Sequence, residues 1–196
     1  MPKIQRCGRS EIWTPTDLNR LIKSIDNPKH LLIIDLLRYT GERIGAIVQL
    51  RVEDVYSDPA NRVPRDTILY RAISRKASSK GKRVSRGLPI HRSLANSLKT
   101  FDSPDRGYLF PSPTNRNTHI TVASVDRWFR SGLDRAGLIG KGYSLHSFRR
   151  TVLTLLRRKG IDIKLIQKFS GHKSLDALEK YLDCDEGELT DVVELL

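Results

Sequence analysis

The chain has 196 residues, of which 38% are hydrophobic and 29% are charged, and this composition predicts one globular domain with its own apolar core. No apolar run approaches the roughly 20 residues that a membrane span needs, and the first residues lack the apolar centre of a signal peptide. Cys7 and Cys184 match no disulfide framework or zinc pattern, so we expect a reducing cytoplasm.

The charge of the chain is large and uneven. The net charge is +13, but residues 183–196 hold six of the 22 acids and none of the 35 Lys and Arg residues, so the first 182 residues carry +19. Such an excess indicates a polyanionic partner, for which nucleic acid is the first candidate. Solubility alone is the other explanation that the charge leaves open.

The N-terminal third is predicted to be helical after a flexible lead-in over residues 1–12. Thr14 and Pro15 are typical of a helix start, a second helix is expected from His30 to about Tyr39, and helical spacing resumes over residues 43–50. Arg43 opens this last segment among apolar residues. Because a buried guanidinium needs a partner, Arg43 is either part of a functional site or an ion-paired structural residue.

A small sheet is predicted in the middle of the chain. The β-like residues 67–73 and 84–90 favour two antiparallel strands, and residues 57–65 favour a polar turn before them. The predicted fold class is therefore mixed α+β, mainly α-helical with a small antiparallel three-stranded sheet. The segment between the two strands is either a solvated loop or a contact for DNA phosphates, and its cations are Arg75, Lys76, Lys80, Lys82 and Arg83.

The remaining chain is predicted to be helical again, over residues 91–101 and 121–136 and then from residue 145 onward. No internal repeat or linker interrupts it, so we expect a single domain over residues 1–182. Residues 183–196 form an acidic tail with several apolar positions. We expect this tail to be amphipathic and to dock either on its own core or on a neighbouring protomer.

Residues 145–181 carry His146, Arg149, His172 and Tyr181. Taken singly, each has an ordinary structural explanation, such as a satisfied polar group or a residue at the edge of the core. Taken together with a second arginine, they are the residue types that grip a phosphodiester and attack it without a metal. The five histidines show no spacing typical of metal ligands, which argues against a metal nuclease.

Four motifs stand in order along the chain: Thr40-Gly41-Glu42-Arg43, His146-Ser147-Phe148-Arg149, Gly171-His172, and Tyr181. In this order and at these intervals, with 23 residues from Arg149 to His172 and nine from His172 to Tyr181, they resemble the catalytic domain of tyrosine recombinases, the phage integrase family. The resemblance spans about residues 11–182. It implies the catalytic-domain fold of the DNA breaking–rejoining enzymes.

The resemblance also implies a role for each motif residue. Arg43, Arg149 and His172 are expected to clamp the scissile phosphate, and His146 is expected to help as a proton acceptor. Tyr181 is expected to attack the phosphorus and form a 3′-phosphotyrosine, without ATP, metal or any other cofactor. A lysine between the predicted strands would protonate the leaving 5′-oxygen, and Lys76 is preferred to Lys80 because it follows a strand end directly.

The implied partner is double-stranded DNA, and no membrane is involved. A homotetramer is expected to bind paired DNA sites and to exchange C-terminal tails between protomers. Without DNA the protein is expected to be a monomer. The family usually carries an N-terminal core-binding domain, for which this sequence has no room. It is then either a minimal recombinase or one whose clamp comes from a partner. Two other functions stay open: a type IB topoisomerase-like or hairpin-forming relative, and an accessory protein that binds DNA without cleaving it.

The sequence departs from the family pattern at three places. Ala46 stands where an acid usually follows the first arginine, so the carboxylate that orients Arg43 is expected to come from Glu42 or Glu53. Arg150 stands where histidine is common and is expected to contact DNA. Phe169 and Ser170 replace the usual residues before Gly-His. None of these changes removes a residue with an implied catalytic role.

Overall fold

A computed structural model describes residues 10–74, 85–179 and 181–182. Within these ranges the chain forms nine α-helices and four β-strands, with a short 3₁₀ turn at Ala72–Ser74. The helices are α1 (Pro15–Lys23), α2 (Pro28–Thr40), α3 (Ile44–Ile47), α4 (Val52–Val55), α5 (Arg92–Thr100), α6 (Val122–Arg135), α7 (Leu145–Arg158), α8 (Ile163–Ser170) and α9 (Leu175–Glu179). The strands are β1 (Tyr56–Asp58), β2 (Val63–Pro64), β3 (Thr67–Tyr70) and β4 (Arg86–Pro89).

The predicted start of the first helix is confirmed, whereas the second helix begins at Pro28 and not at His30; side chains cap both starts. Thr14 Oγ1 accepts a hydrogen bond from the Asp17 amide at 3.1 Å and begins α1. Asn27 Oδ1 accepts from the Lys29 amide at 2.9 Å and begins α2, with Pro28 in the first position, where no amide hydrogen is needed. The Asn-Pro pair therefore starts the second helix two residues earlier than its apolar pattern indicates.

The fold class is confirmed, but the strands do not form one three-stranded sheet. In the described residues β1 pairs with β2 and β3 pairs with β4, both antiparallel, as two separate two-stranded sheets. The pair β1–β2 lies in the segment expected to be a polar turn. Its strands are three and two residues long with an irregular register, too short to show the alternation by which a strand is recognised in a sequence.

The apolar residues form two clusters of unequal size. The large core joins the helices of the N-terminal two thirds to the start of α7, and its members include Trp13, Ile33, Leu37, Ile47, Leu98, Phe129 and Phe148. The small core contains Leu153, Ile166, Leu178 and Leu182 and lies among α7, α8 and α9. Helix α7 contributes to both, with Phe148 in the large core and Leu153 in the small one.

No helix in the described ranges is long and apolar enough to cross a membrane.

Candidate active site

The end of α2 places the first arginine. Gly41 ends this helix in the left-handed conformation, with φ of 58°, and a Cβ at this position would lie 3.2 Å from Val152 Cγ1 on α7. The next two residues follow this turn directly, and Arg43 occupies the position before α3. Its side chain is half-buried. The Thr-Gly pair thus turns the chain sharply where α2 meets α7, so Arg43 lies close to the second arginine.

Arg149 is the most deeply buried cation of the site, with 2% of its surface exposed. Its Nη1 donates to the Gly41 carbonyl at 2.8 Å, and its Nη2 donates to the Ser170 carbonyl at 2.7 Å. The two acceptors are the end of α2 and the end of α8, so Arg149 connects three helices. Burial, followed by the charge of Arg43, lowers the pKa of Arg149 to about 10, against the opposing effect of Glu42.

His172 follows Gly171, which ends α8 in the left-handed conformation with φ of 67°. Its Nε2 lies 3.2 Å from Arg149 Nη2, and its Nδ1 lies 2.8 Å from Ser170 Oγ. Because a guanidinium only donates, Nε2 accepts and the ring proton sits on Nδ1. A hydrogen bond from Nε2 to a phosphate would therefore require the other tautomer of His172.

Burial and the positive charges of Arg149, Arg43 and Arg86 lower the pKa of His172 to about 3. The imidazole is therefore neutral at ordinary pH. His146, on the first turn of α7, has an exposed side chain, yet the surrounding protein and the charges of Arg43 and Arg149 also lower its pKa. A histidine held neutral in this way is suited to accept a proton.

The Tyr181 ring lies beside Arg149 and His172. Its ring centroid is 4.9 Å from that of His172 and 5.6 Å from the Arg149 guanidinium carbon. The backbone there is held by Thr154 on α7, whose Oγ1 donates to the Tyr181 carbonyl at 3.2 Å, and by the buried Leu182 of the small core. The sequence-predicted set of Arg149, His172 and Tyr181 is thus brought into direct contact.

Two residues of this site were not predicted to belong with Arg149. Glu42 is buried, and its Oε1 accepts from the Arg43 amide at 2.9 Å and lies 3.8 Å from Arg149 Nη1. Arg86, on β4, donates from Nη1 to Glu42 Oε2 at 3.1 Å. Glu42 was expected to orient Arg43, but its described contacts are with the Arg43 amide and with two other guanidiniums. Glu53, the other candidate, pairs with Arg71 at 3.0 Å and Arg51 at 3.8 Å.

A sequence signal for Arg86 did exist, since it lies three residues before Pro89 in a strand that returns toward the site. Arg150, expected to contact DNA, donates from Nη1 to the Ser10 carbonyl. Its guanidinium therefore contacts the segment before α1. The predicted catalytic Lys76 and the predicted DNA contacts Arg75, Lys80, Lys82 and Arg83 lie outside the described residues, as does the acidic tail 183–196.

The chemistry available at this site is that of an anion pocket with a phenol at its edge. The Arg43 and Arg149 guanidiniums are close enough for each charge to affect the neutral His172 imidazole. The buried Glu42 carboxylate balances part of the charge of Arg149. Such a pocket suits the non-bridging oxygens of a phosphate and the added negative charge of a pentavalent transition state. Elsewhere in the described residues, no cluster of three or more His, Cys, Asp or Glu side chains has the arrangement of a metal site.

Comparison with known proteins gives the family to which this fold and site belong. The profile of the phage integrase family matches residues 11–188. The chain therefore belongs to the phage integrase family, as its four motifs predicted.

Curated relatives agree with this assignment. A tyrosine recombinase of Thermosipho africanus is 28% identical over 198 residues, which cover 100% of this chain and 64% of the relative. Tyrosine recombinase XerC of Caldanaerobacter subterraneus is 26% identical over 187 residues, covering 92% of this chain and 49% of the relative. The chain thus spans about half to two thirds of the length of these relatives.

Solved structures share the fold. The crystal structure of XerA recombinase superposes with a TM-score of 0.71 at 23% identity, covering 97% of this chain and 65% of that one. The catalytic domain of bacteriophage HP1 integrase superposes with a TM-score of 0.58 at 20% identity, covering 88% of this chain and 87% of that domain. This confirms the predicted catalytic-domain fold.

Proposed function

We propose that this protein is a site-specific DNA recombinase that cuts and rejoins DNA strands through a 3′-phosphotyrosyl intermediate. The observation that carries the proposal is the position of Tyr181, whose ring lies 5.6 Å from the Arg149 guanidinium carbon and 4.9 Å from the His172 ring. A phosphate bound by Arg149 would lie within reach of the phenol of the same chain. Cleavage by each protomer within its own site follows from this arrangement.

In the proposed reaction Arg43 and Arg149 hold the non-bridging oxygens of the scissile phosphate, and His172 donates to the same group in its other tautomer. The Tyr181 oxygen attacks the phosphorus as its proton passes to His146. The bond from phosphorus to the 5′-oxygen breaks, and that oxygen takes a proton from Lys76. Attack by a 5′-hydroxyl reverses the step. Because the ester bond is conserved in the phosphotyrosine, no ATP is consumed, and the residues supply the chemistry without a metal or other cofactor.

The proposed partner is double-stranded DNA. Among the structures with the same fold, one is described as XerH recombinase bound to difH substrate in a pre-cleavage complex, with a TM-score of 0.64. Another is the Tn1549 transposon integrase in complex with circular intermediate DNA, with a TM-score of 0.69. The excess of +19 over the first 182 residues supports the same partner here. We further propose residues 1–182 as one catalytic domain that acts in the cytoplasm on nucleoid DNA, as a homotetramer with exchanged tails.

The test is the covalent intermediate itself. DNA trapped on the purified protein is sequenced to find the target, and a nicked suicide substrate with that sequence is then incubated with the protein in EDTA. We expect an adduct that resists denaturation with wild type and none with Tyr181→Phe. Tyr108→Phe makes the same atomic change at a tyrosine outside the site and is expected to retain the adduct.

A wild-type protein that binds this DNA tightly and never becomes attached to it would overturn the proposal in favour of a non-cleaving accessory protein. Relaxation of any supercoiled plasmid by dilute protein, without a specific site, would favour the topoisomerase-like alternative.

A further inference from the structure

Glu42 occupies an unusual position for a carboxylate in an anion-binding site. Only 2% of its surface is exposed, and its neighbours are the Arg43 amide, Arg86 Nη1 at 3.1 Å and Arg149 Nη1 at 3.8 Å. A negative charge next to the phosphate-binding arginine opposes phosphate binding. The Glu42 carboxylate is nevertheless buried there, between Gly41, whose carbonyl binds Arg149, and Arg43.

The described residues offer Arg149 no other buried counter-charge. The remaining buried acids are Asp17 and Asp54. Asp17 pairs with Lys141 at 2.9 Å, and Asp54 pairs with Arg71 at 2.7 Å. Because a buried guanidinium without a nearby anion is costly, Glu42 is the residue that makes the burial of Arg149 tolerable.

The distances show that the Glu42 carboxylate lies closer to Arg86 than to Arg149. Its direct hydrogen bond from a guanidinium comes from Arg86. The short bonds of Arg149 go to two neutral acceptors, the carbonyls of Gly41 and Ser170, at 2.8 and 2.7 Å. Arg149 is therefore oriented by carbonyls and balanced by a carboxylate at longer range. At 3.8 Å, the ion pair of Arg149 with Glu42 is longer than a hydrogen bond.

We propose that Glu42 and Arg86 are positioning residues for Arg149 and act as a pair. Glu42 fixes the guanidinium in the buried site, and Arg86 holds Glu42 so that it does not close onto Arg149 and neutralise it. Arg86 thereby keeps the charge of Arg149 available to the scissile phosphate. This inference rests on the proposed function, because an available charge on Arg149 matters only if the site binds a phosphodiester.

Three variants separate the two effects. Glu42→Gln keeps the size and the amide contact but removes the charge that anchors Arg149. Arg86→Met leaves Glu42 free to pair with Arg149, and Arg86→Lys keeps a positive charge beside Glu42. In the double variant Glu42→Gln/Arg86→Met there is no carboxylate left to neutralise Arg149. We therefore expect the double variant to cleave faster than Arg86→Met alone, and Arg86→Lys to recover most of the wild-type rate.

Asp54→Asn is the matched control. Asp54 is also a buried carboxylate that accepts a backbone amide, from Arg51 at 2.9 Å, and a guanidinium, from Arg71 at 2.7 Å. Its loss removes a buried carboxylate and its ion pair with Arg71, whose side chain is 40% exposed, outside the site. We expect Asp54→Asn to lower the melting temperature while leaving the cleavage rate of the folded protein unchanged.

The first measurement needs no activity. In ¹⁵N-labelled protein, the Arg149 guanidinium is identified by the signals lost in Arg149→Lys, and its Nη–H signals are expected to be resolved and slow to exchange because both nitrogens are held. Glu42→Gln should broaden or remove them, and Asp54→Asn should not. Unchanged Arg149 signals in a folded Glu42→Gln protein would overturn the positioning role.

The second measurement is single-turnover cleavage of two substrates, one with the normal phosphate and one with a neutral methylphosphonate at the scissile position. We expect Glu42→Gln to slow cleavage of the phosphate about tenfold and that of the methylphosphonate less than about threefold, because the neutral linkage depends less on the charge of Arg149. Equal slowing on both substrates would indicate a general folding defect and overturn the inference. No adduct from wild type on either substrate would overturn the proposed function, and the nitrogen signals then decide the positioning role alone.

Discussion

The large core and the small core support different parts of the candidate site. The large core fixes the proposed phosphate clamp, since Gly41 and Arg43 follow α2 and Arg149 lies one residue after the buried Phe148. The small core, built on four buried residues, carries Tyr181 between Leu178 and Leu182. Because local stability follows the amount of buried apolar contact, the clamp rests on the more stable support and the nucleophile on the less stable one. The proposed strand transfer would benefit from this division, since the phosphate site would stay fixed while the proposed nucleophile, Tyr181, could be repositioned.

Arg149 joins the two supports, because one of its bonds goes to Gly41 at the end of α2 and the other to Ser170 at the end of α8. Arg149→Lys should therefore affect the protein more strongly than a change in either core alone. We expect a loss of cleavage of about 10²- to 10³-fold, since one ammonium cannot replace a two-sided planar donor. We also expect faster amide hydrogen exchange in residues 163–182 than in α2. Single-turnover assays and hydrogen exchange measure the two effects, and uniform exchange across both regions would contradict the idea that Arg149 joins them.

Matched leucines in the two cores test the division directly. Leu98 and Leu178 are both fully buried, one in each core. Each change to alanine removes the same group, at a cost of about 2–5 kcal/mol for a site that does not collapse. We expect Leu98→Ala to lower the free energy of global unfolding and to keep the cleavage rate of the folded protein. Leu178→Ala should lower the cleavage rate at temperatures where the large core remains folded. Equal effects on both properties would argue that the two cores behave as one.

The buried histidine gives an effect that is absent at neutral pH and grows on acidification, a dependence of stability on pH. The pKa of His172 falls from 6.5 to about 3 on folding, so between these values the unfolded chain binds the proton and the folded protein does not. Stability is therefore full above about pH 6.5 and falls as the pH is lowered toward 3, by up to about 1.4 kcal/mol per pH unit.

Chemical denaturation of wild type and His172→Gln between pH 4 and 7 measures this effect as the difference between the two slopes. That difference removes the contributions of His30, whose pKa burial also lowers, and of Asp35, whose pKa burial raises. Parallel curves would contradict the inferred neutral state of His172.

The sequence predicted the parts of the site that follow from local rules. Gly41 and Gly171 end helices in a conformation with positive φ, which glycine adopts readily. The candidate-site residues Arg43 and His172 follow these two glycines. The interval from Arg149 to His172 corresponds to the rest of α7, a turn and α8, and the resemblance of this spacing to the family implied that the two residues share a site. The catalytic lysine and the tail remain predictions, because they lie outside the described residues.

The part that the sequence did not predict depends on contacts between distant segments. Arg86 and Glu42 are 44 residues apart in the sequence, and a hydrogen bond joins their side chains in the fold. Ala46 is buried and uncharged at the position where the family pattern has an acid. The Glu42 carboxylate, four residues earlier, lies beside Arg149 instead. The choice between Glu42 and Glu53 was open because sequence spacing does not reveal which carboxylate is buried.

The bond from Arg149 to the Gly41 carbonyl joins residues 108 positions apart. Closing so long a loop is slow and entropically costly, so contacts of this kind form late in folding. During synthesis on the ribosome, α2 emerges long before α7 exists, so the two arginines cannot be brought together until α7 has been made. The proposed phosphate clamp is therefore absent from the incomplete chain and forms only when α7 docks.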